Sequence, residues 1–199
     1  ALEEAVRESL RAILSVAVSE KLNDEDVRKN VSQDKVKKVY DEINEKLYFF
    51  DHFGSLNGDD ILSNIRYLAR ACNCKYIILD HITMVISGLD GDDRKNIDLV
   101  VTKLRSLCQE LDICVIMVSH LKRLEGNRDH VDGAQISLGH LRNSGSLAHL
   151  SNLCIGFERN QQGDNPNLMN VRILKNRFNG VTGVGDYLEY DNETGRLFN

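Results

Sequence analysis

The sequence lacks any apolar run approaching the roughly 20 residues that a membrane-spanning helix needs. Its first residues, ALEEAVRESL, also lack the basic start and apolar centre of a signal peptide. We therefore expect a soluble, cytoplasmic protein with no membrane partner.

Cysteine is scarce, and no second Cys or His pair stands at finger-like spacing from Cys72 and Cys74. The five cysteines are predicted to be reduced and structural, with no zinc site. The chain of 199 residues with 42% hydrophobic content fits one domain, residues 1–199. A net charge of -5 argues against a surface that binds polyanions generally, but it is compatible with a local basic channel.

A phosphate-binding loop of the form G-x-x-x-x-G-K-[ST] is also absent from the 199 residues. The pattern of apolar residues nevertheless indicates an α/β protein. Helical spacing occurs at 2–17, at 36–47 and from about Asp59, and KLYFFDHF at 46–53 resembles a short strand. The runs YIIL and ICVIMV, separated by a helix, read as fully buried parallel strands. Further strands joined by turns end the chain.

Polar residues end the two predicted parallel strands. Asp80 ends the first and precedes a predicted loop, and His120 ends the second. A carboxylate at this edge of a sheet can hold Mg²⁺ beside nucleotide phosphates, and a histidine can donate a hydrogen bond to a phosphate. Each residue alone could be structural, but the pair favours a functional site.

Two further groups of cations stand out. Lys122, Arg123, Arg128 and Arg142 lie in a glycine-bearing loop between 121 and 146, which suits a sugar-phosphate chain. The acids in the same loop dilute this charge, and the residues alone favour a solvated loop slightly. In RILKNRFNG, strand alternation places Lys175 and Arg177 on one face. The two cations could bind an anion, or they could protect an edge strand from pairing with another chain.

Arg159, at a strand end, and Tyr190 could stack on a flat ring, although Tyr190 is also a good strand residue.

Taken together, these motifs resemble the RecA-like motor domain of DnaB-type hexameric replicative helicases, with the nearest likeness to phage primase-helicases. YIILDHI resembles the Walker B strand, VIMVSHLK the following motif, and LRNSGSLAHLSN the DNA-contacting motif. FERNQQGDNPNL, RILKNRFNG and YLEYDNETG follow in the family's order. The resemblance implies a RecA-like P-loop NTPase core, with a mainly parallel sheet flanked by helices and antiparallel strands at the C-terminus.

The resemblance also implies roles for individual residues. Asp80 matches the Walker B acid that serves Mg²⁺, Glu3 the carboxylate that polarises the attacking water, and His120 the γ-phosphate sensor. Arg177 is similar to the arginine finger that enters the neighbouring subunit's site, with Lys175 as its companion.

Arg159 and Tyr190 match the pair that sandwiches the nucleotide base. Lys122 and Arg128 match cations of the DNA loop, and Asn143 matches a position whose backbone meets phosphate. A family lysine aligns with Gly126 and a basic position with Ala148, so Arg123 could carry more of the DNA contact.

By this resemblance the chain begins after the family's first strand and P-loop and is an inactive fragment on its own. The intact protein would be an ATP- or dTTP-driven helicase, a homo-hexameric ring on single-stranded DNA that works with a primase and a DNA polymerase in a phage-infected cell. Two alternatives remain: a RecA-type recombinase, and a DNA-binding or assembly module without ATPase activity.

Overall fold

The computed structural model describes residues 4–51, 58–86, 91–124, 129–141 and 145–199. Three helices open the chain, α1 (Val6–Val18), α2 (Glu25–Asn30) and α3 (Gln33–Asn44). The two predicted helices are confirmed as α1 and α3, whereas the pattern did not reveal α2. Asp24 starts α2, because its carboxylate accepts hydrogen bonds from the N–H groups of Asp26 and Val27.

The three helices share a small apolar core. Leu14, Val18 and Leu22 are buried there. Leu10 on α1 and Val36, Val39 and Ile43 on α3 pack against them at helical spacing, as the sequence predicted, and Val31, at the end of α2, joins them.

The strand predicted at KLYFFDHF is wrong for residues 46–51, which form a turn followed by irregular backbone; residues 52 and 53 lie outside the described residues. Tyr48 is 53% exposed. A strand is stable only when its backbone groups pair with a neighbour, and none of the described strands pairs with this segment.

The central part of the chain is a β-α-β arrangement. It consists of α4 (Gly58–Arg70), β1 (Tyr76–Leu79), the short helix α5 (Ile82–Ile86), α6 (Asp93–Leu111) and β2 (Cys114–Met117). β1 and β2 pair in parallel, with Leu79 opposite Met117, as predicted. The loop predicted directly after Asp80 is wrong, because an apolar turn of helix, α5, buries Ile82 and Val85 in the core.

The main core lies on one side of β1 and β2, where the helices pack. Its fully buried side chains include Ile82, Val85, Ile97 and Leu104. The prediction that both strands are fully buried is wrong. Ile78 is 70% and Ile116 50% exposed, because no described element covers the opposite face of this pair.

The C-terminal part is an antiparallel sheet in the order β3 (Leu153–Arg159), β4 (Leu168–Asn176), β5 (Gly183–Tyr190) and β6 (Leu197–Phe198). The predicted strands and the turn between Tyr190 and Leu197 are confirmed. The helix α7 (Gly145–Leu150) precedes this sheet and buries Leu147 in the main core. Among the described residues, the helices are too short or too polar to span a membrane.

Candidate functional site

Asp80 and His120 lie at the same edge of the parallel strand pair. Asp80 follows the last residue of β1, and His120 stands three residues beyond the end of β2. The N–H of Val118 donates to the carbonyl of Leu79 at 3.0 Å, which extends the pairing beyond the strands. Both side chains are exposed, so each is accessible to a ligand.

His81 supports this edge, although sequence reasoning did not single it out. Its ring is buried, at 6% exposure, and its centroid is 4.1 Å from that of the His120 ring. The Thr83 hydroxyl is hydrogen-bonded to His81 Nδ1, which orients the ring. The only sequence signal was a second polar residue at the end of an apolar run.

The residues after His120 form the first half of the predicted DNA loop. Lys122 and Arg123 are exposed, while Arg128, Arg142 and Asn143 lie outside the described residues, as does Glu3. The loop is closed at its base: Leu121 pairs with Leu141, and the N–H of Lys122 donates to the carbonyl of His140 at 2.8 Å.

The returning half of the loop, residues 129–141, carries two aspartates and two histidines. The hydrogen bond from the N–H of His130 lowers the pKa of the Asp129 carboxyl. Asp129 is therefore ionised at neutral pH and offsets part of the positive charge of Arg123. The His130 ring lies 5.2 Å from that of His140, and neither of its nitrogens has a hydrogen-bond partner in the described part of the chain.

A buried ion pair fixes this returning segment to the sheet, and no sequence pattern predicted it. Glu158 on β3 receives hydrogen bonds from Arg172 Nε at 2.5 Å and Arg172 Nη2 at 3.1 Å. The N–H of Ile136 donates to the same carboxylate at 2.8 Å. Burial alone would raise the pKa of Glu158, but these donors outweigh it and the pKa lies below its ordinary value.

Lys175 and Arg177 come together at the C-terminus of α7. Lys175 Nζ donates to the carbonyls of Ala148 at 2.5 Å and His149 at 2.9 Å. Arg177 Nη2 donates to the same His149 carbonyl at 2.5 Å. Burial and the nearby Arg177 lower the pKa of Lys175. The free carbonyls at a helix C-terminus attract cations, so this arrangement is stable within one chain.

Arg159 and Tyr190 also lie side by side. The guanidinium carbon of Arg159 is 6.0 Å from the centre of the Tyr190 ring, and Lys21 Nζ is 5.8 Å from it. Arg159 Nε donates to the carbonyl of Pro166 at 2.5 Å, which holds the side chain in place. An open pocket of about 390 Å³ adjoins Tyr190, with Asn167 and Glu189 in its wall.

Asp80 provides part of a coordination shell that suits a magnesium ion. An exposed carboxylate is a hard oxygen ligand of the kind that Mg²⁺ accepts together with water and phosphate. Within the described ranges, no three His, Cys, Asp or Glu side chains come together as a metal site. The protein would thus supply one ligand, and a nucleotide would supply others.

Solved structures with the same architecture define the fold class. One of them, an ATPase domain, has a TM-score of 0.80 and 22% identity, and the match covers 100% of this chain and 72% of that one. A DnaB-like replicative helicase, solved in a study of its interactions with primase, has a TM-score of 0.79 and 21% identity, with 98% and 48% covered. The predicted RecA-like α/β fold is thereby confirmed.

A family model described as the DnaB-like helicase C-terminal domain matches residues 3–199. The chain is also 37% identical over 201 residues to the DNA helicase/primase of Enterobacteria phage T3. The chain therefore belongs to the DnaB-like helicase C-terminal domain family. The match spans 98% of this chain but only 36% of that phage protein.

Proposed function

We propose that this chain is the motor domain of a replicative DNA helicase, which couples nucleotide hydrolysis to movement along single-stranded DNA and to unwinding of the duplex. Family membership supports the class. The observation that carries the mechanism is the position of Asp80 and His120 at one edge of the sheet, with Lys122 starting a loop two residues later. A phosphate sensor and a DNA-contacting loop would thus share a short segment.

ATP or dTTP is the proposed substrate. Asp80 would hold Mg²⁺, which when bound neutralises charge on the phosphates. Glu3 would polarise the attacking water. Arg159 and Tyr190 would take the base between them; their present separation of 6.0 Å leaves too little room for a ring, so they must move apart slightly when it enters. The sequence holds no G-x-x-x-x-G-K-[ST] loop, so we propose that a further segment of the polypeptide supplies it.

Arg177 is proposed to act in the site of a neighbouring copy. In one chain its guanidinium is bound to the carbonyl of His149, and Lys175 shares that acceptor. A phosphate group in a neighbouring copy is a better partner than the His149 carbonyl. It carries a full negative charge rather than the partial charge of a helix end, and it offers the guanidinium two oxygens instead of one. Arg177 can therefore move to the phosphate while Lys175 stays on α7. Hydrolysis would then depend on assembly.

DNA would bind through the loop that starts at Lys122, with Arg123, Arg128, Arg142 and Asn143 as further contacts. Loss of the γ-phosphate at His120 would shift this loop and carry the DNA backbone with it. The proposed assembly is a ring of six copies in the cytoplasm of a phage-infected cell, working with a primase and a DNA polymerase. The net charge of -5 is compatible with this, because only the channel loops need be basic.

The test is DNA-stimulated nucleotide hydrolysis by a polypeptide that carries this chain together with its P-loop segment. Arg177→Ala should reduce hydrolysis by about 10³-fold, the typical contribution of an arginine finger, and Asp80→Ala should nearly abolish it because Mg²⁺ would lose its protein ligand. Mixing the two variants should restore part of the activity, because some boundaries then combine an intact Asp80 with an intact Arg177.

Arg70→Ala is the matched control, since Arg70 is also an exposed arginine bound to an acceptor in its own chain, Glu110. It should retain full activity. Full DNA-stimulated activity of Arg177→Ala would exclude the role in a neighbouring site. An absence of hydrolysis in the unsubstituted polypeptide would favour a DNA-binding module without ATPase activity.

A further inference from the structure

Glu158 is a charged side chain in the interior that the proposed chemistry does not use. It is only 6% exposed, yet it is held in its ionised form by Arg172 and by the N–H of Ile136. Burial of a carboxylate costs desolvation free energy that only its hydrogen-bond donors offset. The segments that supply those donors are therefore held firmly to Glu158.

The donors come from different parts of the fold. Arg172 belongs to the neighbouring strand β4, as does Asn170, whose side chain also hydrogen-bonds to Glu158, whereas Ile136 belongs to the returning half of the DNA loop. This half runs beside the end of β3: Asp132 pairs with Asn160, and the N–H of Gln161 donates to the carbonyl of Val131 at 3.0 Å. Among the described residues, Glu158 is the only charged side chain that links this half of the loop to the sheet.

The residue next to Glu158, Arg159, belongs to the proposed base site. Arg159 lies against Tyr190 and is held by the carbonyl of Pro166. Adjacent residues of a strand point to opposite faces, so Glu158 binds Ile136 of the loop on one face of β3 and Arg159 contacts Tyr190 on the other.

We propose that Glu158 is a positioning residue that couples the DNA loop to the nucleotide pocket. It fixes the segment 129–141 on β3, and through the pairing of Leu121 with Leu141 it fixes the start of the loop at Lys122. A displacement of Arg159 by the base is thereby passed to the DNA-contacting segment. This inference rests on the proposed function.

A carboxylate is needed because both donors must be satisfied at once. Arg172 Nε and the N–H of Ile136 share Oε1, and Arg172 Nη2 uses Oε2. In Glu158→Gln one of the two oxygens becomes an NH₂ group, which cannot accept from Arg172. Whichever oxygen is replaced, this NH₂ group faces a donor of Arg172, and the repulsion between the two donors turns the remaining oxygen away from the N–H of Ile136.

The first measurement is hydrogen exchange of the purified protein without DNA. In Glu158→Gln the amide of Ile136 should exchange about tenfold faster, while β1 and β2 keep their protection. The matched control is Glu110→Gln, which changes a glutamate that is bound to two arginines on the surface. It should leave the exchange of Ile136 unchanged.

The second measurement is the affinity for a fluorescent single-stranded oligonucleotide, with and without nucleotide, of the polypeptide that carries this chain together with its P-loop segment. Wild-type protein should respond to nucleotide, whereas Glu158→Gln should bind DNA about tenfold more weakly and lose most of that response. The double variant Glu158→Gln/Arg172→Leu should recover both, because the glutamine oxygen is then free to accept from Ile136.

Unchanged exchange at Ile136 in Glu158→Gln would overturn the inference. Loss of protection throughout β1 and β2 in both the single and the double variant would also overturn it, because Glu158 would then serve the stability of the whole fold. If the wild-type protein bound no DNA, the proposed function would fail, and the exchange measurement would still decide whether Glu158 positions the loop.

Discussion

Ile77 and Ile78 are neighbours in β1, yet their replacement by alanine should have very different consequences. Ile77 is 8% exposed and packs in the main core, whereas Ile78 is 70% exposed on the opposite face. Both substitutions remove the same atoms from the same strand. The difference between them therefore measures what covers each face of the strand pair.

The expected sizes follow from burial. A buried isoleucine replaced by alanine typically costs about 2–5 kcal/mol, because transfer free energy is lost and a cavity remains. Complete burial of such a side chain is worth about 1.5–3 kcal/mol, so Ile78, with 70% of its surface exposed, should lose less than about 1 kcal/mol. The loss of strand propensity is similar at both positions and largely cancels.

The assay is urea unfolding of the chain Ala1–Asn199, followed by circular dichroism because the sequence contains no tryptophan. Ile77→Ala should lower the midpoint by about 1 M or more, and Ile78→Ala by a small fraction of that. Equal losses would refute the reasoning. They would mean that the face of Ile78 is packed against another part of the molecule or another copy.

Three further predictions concern other parts of the chain. The free energy of unfolding of the wild type should exceed that of Glu158→Gln most at neutral pH. The donors to Glu158 hold its folded pKa below its ordinary value, so this difference should shrink as the pH falls below the ordinary value and through the folded pKa. Urea unfolding at neutral pH and at a series of acidic pH values would show a constant difference if the carboxylate contributed nothing. Tyr190→Ala should weaken binding of a fluorescent nucleotide to the P-loop-containing polypeptide by about 1–3 kcal/mol, because stacking of the base on the ring is lost. Tyr187→Ala, in the same strand, is the control and should leave the affinity unchanged. Equal effects of the two substitutions would remove Tyr190 from the base site. Asp92→Ala should lower the free energy of unfolding by about 1 kcal/mol, because the Asp92 carboxylate accepts a hydrogen bond from the N–H of Arg94 at the start of α6. An unchanged urea midpoint would contradict this.

Several parts of the fold could be predicted from sequence because they depend on local periodicity. The apolar stripe of α6 and the runs of β1 and β2 are local patterns, and the structure has them where the pattern placed them. The strand at 46–51 was wrongly predicted for the same reason: local preference favours a strand, but a strand also needs a partner that the sequence of the segment does not specify.

The candidate site divides in the same way. Asp80 and His120 were recognisable because each is a polar residue at the end of an apolar run. His81, Lys21 and the pair of Glu158 with Arg172 were not, since their partners are distant in sequence or their type is common on protein surfaces. The placement of Lys175 and Arg177 on one face followed from strand alternation, but their acceptor, the end of α7, did not.

The sequence by itself determined the class of fold, the parallel pairing of β1 with β2, the antiparallel C-terminal strands and the family resemblance, because periodicity and motif order are properties of the chain. Only the tertiary structure decided which face of β1 is buried, that the helix end of α7 holds Lys175 and Arg177, and that Glu158 joins the segment 129–141 to β3. These features depend on the packing of segments far apart in the chain, and the free energy of a buried charge or an exposed isoleucine is set by the neighbours that folding brings to it.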